Sequence, residues 1–247
     1  MSTATSNFLT LSFPTGYNEH TDMEVVVGQK SVPTEISIIN QSFAWMFAGL
    51  VVTGLSSIVV ASSPALIDAL FSNRILFFGL LLAELGLVSF LSFRINTMSY
   101  EAAVASFVGY SFLNGLTLSS IFLLYTATSV ASTFFITGAV FGGMAVFGYT
   151  TKKDLTAVGS LAFMGLIGVI LASIVNIFLH NNGFSYILSY LTIAIFIGLT
   201  AYDTQKIKSM SGQANSKNLG VLGALMLYLD FVNIFINLLR IFGRRRS

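Results

Sequence analysis

Two long stretches without charged side chains constrain this chain more than any other feature of its sequence. The first lies between Glu101 and Lys152, and the second lies between Asp154 and Asp203, where His180 is the only histidine. A helix needs about 20 apolar residues to cross a bilayer, so each stretch has room for two crossings. Only 9% of the chain is charged, whereas a soluble domain carries about 25%. The sequence therefore predicts an integral membrane protein.

Seven apolar segments follow a polar N-terminal region and predict an all-α bundle of seven transmembrane helices. None of them alternates apolar and polar residues as a membrane β-strand does. Residues 1–40 have the polar composition of a flexible tail, so the transmembrane domain is predicted for residues 41–247. The sixth segment is the shortest, and its helix can continue past Asp203 if Lys206 and Lys208 reach back to the membrane surface. The segments comprise residues 42–61, 75–93, 102–125, 131–149, 155–179, 186–202 and 219–242.

The distribution of loop charges predicts the orientation of the bundle. Cytoplasmic loops are enriched in lysine and arginine. The N-terminal tail and the loops on its side carry seven basic residues, whereas the loops on the opposite side carry only Arg74, so a cytoplasmic N-terminus is expected. The arginines at 244–246 then face outward, which a re-entrant last segment would explain, but the length of that segment favours a full crossing. The seven residues are Lys30, Arg94, Lys152, Lys153, Lys206, Lys208 and Lys217.

Two aspartates stand out as candidate functional residues. Asp203 ends the sixth apolar segment, and Asp230 lies in the middle of the seventh. A charged side chain at membrane depth costs roughly 2.5–3.5 kcal/mol on insertion scales, so it is usually functional. Asp203 has a simpler interpretation, as a solvated carboxylate at the cytoplasmic interface that pairs with Lys206 or Lys208. The sequence alone leaves both interpretations of Asp203 open.

The polar residues of the last segment follow a helical spacing. Asp230, Asn233, Asn237 and Arg240 occur at i, i+3, i+7 and i+10, which places them on one stripe of a helix. Polar groups cannot face lipid without hydrogen-bond partners. We therefore expect the last helix to be central, with the stripe lining an ion pathway. Alternatively, the asparagines hold helices together by hydrogen bonds of about 0.6 kcal/mol each.

Two further charged residues are candidates because they share the second segment. Glu84 lies near its centre and is a further candidate for the ion pathway, and Arg94 ends the segment on the side of Asp203. Two close carboxylates titrate as a pair and can share one proton, which is the chemistry of a pH switch. Calcium prefers six to eight oxygen ligands, so Asp203 and Asp230, even with Glu84, predict weak and transient calcium binding.

Several classes of function are not expected from this sequence. The chain has no cysteine, which excludes disulfides and thiolate metal sites. It has no HExxH motif, no P-loop and no dinucleotide fingerprint. Its net charge of +2 does not indicate nucleic-acid binding. We therefore expect no enzymatic activity, no cofactor and no nucleic-acid partner.

Four stretches of the sequence resemble the transmembrane Bax-inhibitor motif family, in its bacterial branch. The resemblance covers roughly residues 38–246, and the pairing of AYDTQ with LYLDF is its most specific part. The stretches are GLTAYDTQKIK at 198–208, LGALMLYLDFVNIFINLLRIFG at 222–243, NGLTLSSIFLLYT at 114–126 and FGYTTKKDL at 147–155.

The resemblance implies both a fold and a function. It implies a last helix wrapped by the other six, and a pH-dependent calcium leak across the membrane. It implies that Asp203 and Asp230 form the pH-sensing pair, and Arg94 is our candidate for the basic residue that latches Asp203. The bacterial branch lies in the inner membrane, and some of its members modulate a membrane protease.

Three functional hypotheses remain open at the level of sequence. The first is a proton-gated calcium leak channel of the bacterial inner membrane that contacts only protons, calcium and lipid. The alternative is a non-conducting regulator that binds a membrane protease or a stress-response partner. A third hypothesis is a proton-coupled transporter of small organic solutes.

Overall fold

The computed structural model describes residues 35–210 and 218–246, and every regular element in these two ranges is a helix. Seven membrane-crossing units are present in these ranges, each long and apolar enough to span a bilayer, and α5 continues α4 within the third of them. The all-α membrane bundle predicted from the sequence is therefore confirmed. The helices are α1 Glu35–Ala61, α2 Pro64–Phe71, α3 Arg74–Arg94, α4 Tyr100–Leu118, α5 Ser120–Leu124, α6 Ala127–Thr150, α7 Thr156–Leu179, α8 Asn182–Ser209 and α9 Leu219–Phe242.

The helices differ from the predicted segments mainly at their ends. Helix α1 already begins at Glu35, within the predicted N-terminal tail, and the rest of that tail, residues 1–34, lies outside the described residues. Helix α8 runs past Asp203 to Ser209, as the short sixth segment allowed, and Gln205 and Lys208 in its last turns bond to the backbone of the loop after α6 and of the end of α6. The third segment is divided at Ser119 into α4 and α5.

Short polar side chains cap the beginnings of four membrane helices. Asn73 accepts hydrogen bonds from the backbone of α3, Ser99 from that of α4, Thr126 from that of α6 and Asn181 from that of α8. Each cap gives a partner to a backbone N–H group that has none within the helix. The loop motifs FSN, NTMS, TATS and HNN are therefore the starts of helices as well as breaks between them.

Helix α9 is the centre of the bundle. In its most apolar stretch 72% of the residues are buried, compared with 6% for α3 and for α7. It packs mainly against α1 and α8, and also against α6. The prediction of a central last helix is therefore confirmed, and α3 and α7 are the helices most exposed to lipid.

Helix α9 crosses the bundle completely. At its beginning, the Nδ2 atom of Asn218 donates to the backbone oxygens of Ile95 and Met98 in the connection between α3 and α4. Beyond its end, the backbone N–H of Arg246 donates to the Leu124 oxygen, next to a β-bridge between Tyr125 and Arg245. Because these two connections lie at opposite ends of the bundle, the last helix does not re-enter.

A buried polar network joins four helices around Tyr228 of α9. Its hydroxyl lies 2.6 Å from Thr53 Oγ1 of α1 and donates to Asn114 Oδ1 of α4 at 3.0 Å. Asn114 Nδ2 in turn lies 3.4 Å from Glu84 of α3, and the Thr117 hydroxyl also donates to Glu84. In a membrane these groups have no water to replace a lost partner, so the network fixes how the four helices face one another.

Glycines allow close helix packing at positions that spacing alone does not identify. A Cβ atom on Gly148 of α6 would lie 2.8 Å from Ala201 Cα of α8, so these two backbones touch. Gly138 and Gly142 form a small-xxx-small pair in the sequence, yet an added Cβ at either position would meet nothing within 4 Å. Only contacts in the folded bundle separate a packing glycine from a lipid-facing one.

The contact at Gly148 predicts different outcomes for two glycine substitutions in one helix. Gly148→Ala should lower the free energy of unfolding by about 1–3 kcal/mol, because the backbone of Ala201 cannot move aside as a flexible side chain does. Gly142→Ala is the matched control and should be neutral or slightly stabilising, since alanine favours helices. Thermal unfolding of the purified variants in detergent measures the difference, and equal midpoints would contradict the close approach of α6 and α8.

Candidate functional site

The two aspartates singled out in the sequence line one cavity. Asp203 of α8 and Asp230 of α9 face a space of about 460 Å³ between α7, α8 and α9, which we call the aspartate cavity. Asp230 is only 2% exposed, and Asp203 is half-buried. Because α8 continues past Asp203, that residue lies about 9 Å inside the end of its helix, at 1.5 Å per residue. The extension of α8 therefore brings it to a depth where it reaches the neighbourhood of Asp230.

Burial and mutual proximity determine the electrostatics of the Asp203 and Asp230 carboxylates. The two carboxylates lie close enough to interact electrostatically. The Oδ2 atom of Asp230 is buried without a hydrogen-bond partner among the described residues. Nearby, the hydroxyl of Thr200 faces Asp230 and also donates to the Phe196 backbone oxygen at 2.7 Å. Since an unpartnered buried carboxylate oxygen is costly, this site favours a proton or a cation.

The walls of the aspartate cavity are mostly apolar. Phe196 and Leu199 of α8 and Met226 and Leu229 of α9 form much of its surface, and Phe163 of α7 lines its lipid-facing side. Charges interact more strongly in such an environment than in water. Adding or removing a single proton therefore changes the interaction between the two carboxylates substantially.

The residues that follow Asp203 attach α8 to the loop between α6 and α7. Gln205 Nε2 donates to the Lys153 backbone oxygen at 2.8 Å, and its Oε1 accepts from the Leu155 backbone N–H at 2.9 Å. Lys208 Nζ lies 3.1 Å from the Tyr149 backbone oxygen and 4.7 Å from the centre of the Tyr149 ring. Two of the stretches that carry the family resemblance are thus in direct contact.

A second cavity of about 390 Å³ lies between this loop and the end of α8, and we call it the vestibule. Its charged residues are Lys152, Lys153, Asp154 and Lys206. Hydrogen bonds from the Thr156 hydroxyl and backbone N–H hold the pKa of Asp154 below its usual range, so Asp154 is ionised at neutral pH. The vestibule consequently carries an excess of positive charge.

Comparison with known proteins shows the family of this chain. The family model described as "Inhibitor of apoptosis-promoting Bax1" matches residues 36–247. The chain belongs to this Bax inhibitor-like family. It is 47% identical over 212 residues to the inner membrane protein YbhL of Escherichia coli K12, covering 83% of this chain and 91% of YbhL. It is 42% identical over 222 residues to a protein of Borreliella burgdorferi, covering 86% and 96% of the two chains. It is 40% identical over 211 residues to the protein RP147 of Rickettsia prowazekii, covering 83% and 88%.

The structure of this Bax inhibitor-like protein does not bring Arg94 to the aspartate pair. Arg94 is exposed at the end of α3, a helix that packs mainly on α4, and among the described residues it forms no ion pair. The base that interacts electrostatically with Asp203 is Lys206, one helical turn further along α8. The role of Arg94 as a latch therefore stays a prediction, without support from this arrangement.

Glu84 lies apart from the pair as well. It is bound by Asn114 and Thr117 in the interface between α3 and α4, and it does not line the aspartate cavity. Within residues 35–210 and 218–246, no three acidic or histidine side chains cluster closely enough to hold a metal ion. The expectation that Glu84 assists the two aspartates in binding a cation is therefore wrong for this arrangement.

The remaining polar residues of α9 bond mainly to their own helix. Asn233 Nδ2 donates to the Leu229 backbone oxygen and Asn237 Nδ2 to the Asn233 backbone oxygen. Arg240 lies 3.4 Å from the Ser189 hydroxyl of α8 and is exposed. The hydrogen-bonding capacity of the asparagine amides is thus used partly within α9, and neither of these two bonds joins two helices.

Sequence reasoning missed three residues of the site. Thr200 faces Asp230, Gln205 attaches the loop, and Gly159 of α7 makes room for the Tyr202 ring. The only signal for Thr200 and Gln205 was their position next to AYD in the family motif. Gly159 had none, because it is one of 21 glycines.

The two hydrogen bonds of Gln205 predict a local effect on the loop at 151–155. Gln205→Ala removes both bonds, and at about 0.5–1.5 kcal/mol each their loss should accelerate amide exchange at Leu155 roughly tenfold or more. Ser209→Ala is the matched control, because the Ser209 hydroxyl bonds only within its own helix, to Lys206. Hydrogen–deuterium exchange with mass spectrometry measures both variants. Unchanged exchange at Leu155 in Gln205→Ala would contradict the attachment.

Proposed function

We propose that this Bax inhibitor-like protein forms a pH-sensitive leak pathway for cations, with calcium as the conducted ion. The observation that carries the proposal is the location of Asp203 and Asp230 in one cavity at membrane depth. Buried acids in a membrane bundle usually belong to ion pathways or proton relays. The two carboxylates outweigh the single ammonium group of Lys206 in this apolar cavity, and the remaining negative charge attracts a cation such as calcium and also binds protons.

The two aspartates belong to different helices, which gives protonation a mechanical effect. Asp203 moves with α8 and Asp230 with α9. When both carboxylates are ionised they repel each other, and when they share a proton they attract. A change in pH therefore changes the force between α8 and α9 at the cavity, and the pathway opens or closes in response.

A leak pathway for calcium requires that the two carboxylates bind the ion only weakly. Two carboxylates supply at most four oxygens, whereas calcium prefers six to eight, so water must complete the coordination. An ion held in this way leaves as easily as it arrives, which conduction requires. We accordingly assign Asp203 and Asp230 as transient calcium ligands, and we assign no catalytic role or cofactor to the protein.

We further propose that the protein resides in the bacterial inner membrane with its N-terminus in the cytoplasm. YbhL of Escherichia coli is named as an inner membrane protein. Lysines dominate the loops at the end of the bundle where α8 ends, and the positive-inside rule places that end in the cytoplasm. The vestibule then faces the cytoplasm.

The proposal predicts that neutralising either aspartate removes the pH dependence of calcium flux. In Asp203→Asn and Asp230→Asn one carboxylate is lost, so pH can no longer change a force between two carboxylates on α8 and α9. Flux is measured with a calcium dye in liposomes containing the purified variants, across a range of pH. Glu84→Gln is the control, since it changes a half-buried carboxylate outside the cavity and should keep the pH profile.

The same measurement separates the proposal from its alternative. If both asparagine variants conduct with the parent's pH profile, the aspartate pair does not sense protons. If the parent protein conducts nothing and a stable membrane protease or stress-response partner copurifies with it, the chain acts as a non-conducting regulator. Substrate-dependent proton uptake would instead indicate a transporter of small organic solutes.

A further inference from the structure

We propose that Tyr202 and Lys206 form a gate that separates the vestibule from the aspartate cavity. The inference rests on the proposed function, because the gate would control the access of ions and protons to Asp203 and Asp230. It gives Tyr202 and Lys206 a role that follows neither from the aspartate pair nor from the hydrogen bonds between Gln205 and the loop.

The first observation is that the two cavities share part of their walls. Tyr202 and Lys206 line both the aspartate cavity and the vestibule. These two side chains therefore lie between the two spaces. A hydrated ion or proton carrier that moves directly from the vestibule to Asp203 passes them.

The second observation is that the Tyr202 ring rests on a position without a side chain. A Cβ atom on Gly159 of α7 would lie 2.6–2.7 Å from three ring carbons of Tyr202, which is too close for any side chain to be tolerated without movement. The ring thus packs directly on the backbone of α7. It bridges α8 and α7 where the two cavities adjoin.

The third observation is that Lys206 links the ring to the acid pair. Its Nζ atom lies 5.8 Å from the centre of the Tyr202 ring, within the range of a cation–π interaction. The same ammonium group interacts electrostatically with Asp203. The charge on Lys206 thus interacts both with the ring and with the carboxylate.

Two properties of the vestibule support the gate. Its wall opposite the gate is held by hydrogen bonds, and its charge is positive. Gln205, between the two gate residues, fixes the loop that carries Lys153, so the vestibule wall opposite the gate is held in place. Lys152, Lys153 and Lys206 outnumber Asp154 in the vestibule. A closed ring together with this positive charge slows a divalent cation, as expected for a leak as opposed to a fast channel.

The gate can be tested without measuring conduction, because the chain contains no native cysteine. Met226→Cys places one thiol in the aspartate cavity, and Ser209→Cys places one in the vestibule. A charged, membrane-impermeant methanethiosulfonate reagent is added to membrane vesicles on the vestibule side. Lipid membranes are required, because detergent would admit the reagent laterally beside Phe163 of α7.

We expect the thiol of Met226→Cys to react slowly while Tyr202 is present. Adding Tyr202→Ala should increase its labelling rate by about tenfold, as expected when a cation–π contact and the packing of one ring hold a gate closed. Tyr202→Phe keeps the ring and should leave the rate unchanged. Gly159→Ala should increase the rate by displacing the ring, and should have no further effect when Tyr202→Ala is present.

The thiol of Ser209→Cys is the control for structural damage. Its labelling rate should not change with Tyr202→Ala. If both thiols become more reactive together, the substitution has loosened the protein and the gate is refuted. The gate is equally refuted if Met226→Cys reacts as fast as Ser209→Cys in the presence of Tyr202, or if Tyr202→Ala does not accelerate it.

Thiol labelling tests the gate, and calcium flux tests the proposed function, so the two ideas can fail independently. A gated thiol in a protein whose calcium flux ignores the asparagine substitutions would support the gate and refute the aspartate pair as pH sensor. An ungated thiol in a protein whose flux loses its pH dependence in Asp203→Asn would support the pair and refute the gate.

Discussion

Lipid offers no hydrogen bonds, and this constraint on α9 determines the rest of the bundle. The helix carries a carboxylate, two amides and the Tyr228 hydroxyl within its membrane-crossing length. Each of these groups must face protein, so α1, α6 and α8 surround α9 and leave α3 and α7 at the periphery. Thr53 and Asn114 meet Tyr228, and the asparagines of α9 bond to their own backbone. The polar content of one helix thus fixes which neighbours it requires.

The cover around α9 is incomplete at the candidate site. Helix α7 packs mainly on α8, so a space remains beside α9 at the depth of Asp230. The extension of α8 brings Asp203 to the same space, and the interaction of Gln205 with the loop at 151–155 holds that end of α8 in place. The family motif AYDTQKIK therefore combines two tasks: one part supplies the acid, and the part that follows anchors the helix that presents it.

The sequence predicts the fold well because the bilayer limits the options. Uncharged runs of sufficient length leave helices as the only solution, and the polar stripe from Asp230 to Arg240 identifies the central helix. The site is harder to predict. The short sixth segment allows α8 to continue past Asp203, but nothing local shows that it reaches Ser209, since Lys206 and Lys208 fit a loop as well as a helix end. The position of Glu84 along α3 does not show which neighbour it faces, and the contact between Tyr202 and Gly159 depends on the rotation of two helices that are distant in sequence.

The location of the base beside Asp203 has a consequence for how the pair works. An arginine on another helix would connect two helices through an ion pair, whereas Lys206 belongs to the same helix as Asp203 and moves with it. A base of this kind changes the charge that Asp203 presents, but its interaction with Asp203 does not join α8 to α9. The part of the force between these helices that changes with pH therefore comes from the two carboxylates and the protons they bind. Because Lys206 also contacts the Tyr202 ring, its charge connects the protonation of Asp203 to the proposed gate of Tyr202 and Lys206.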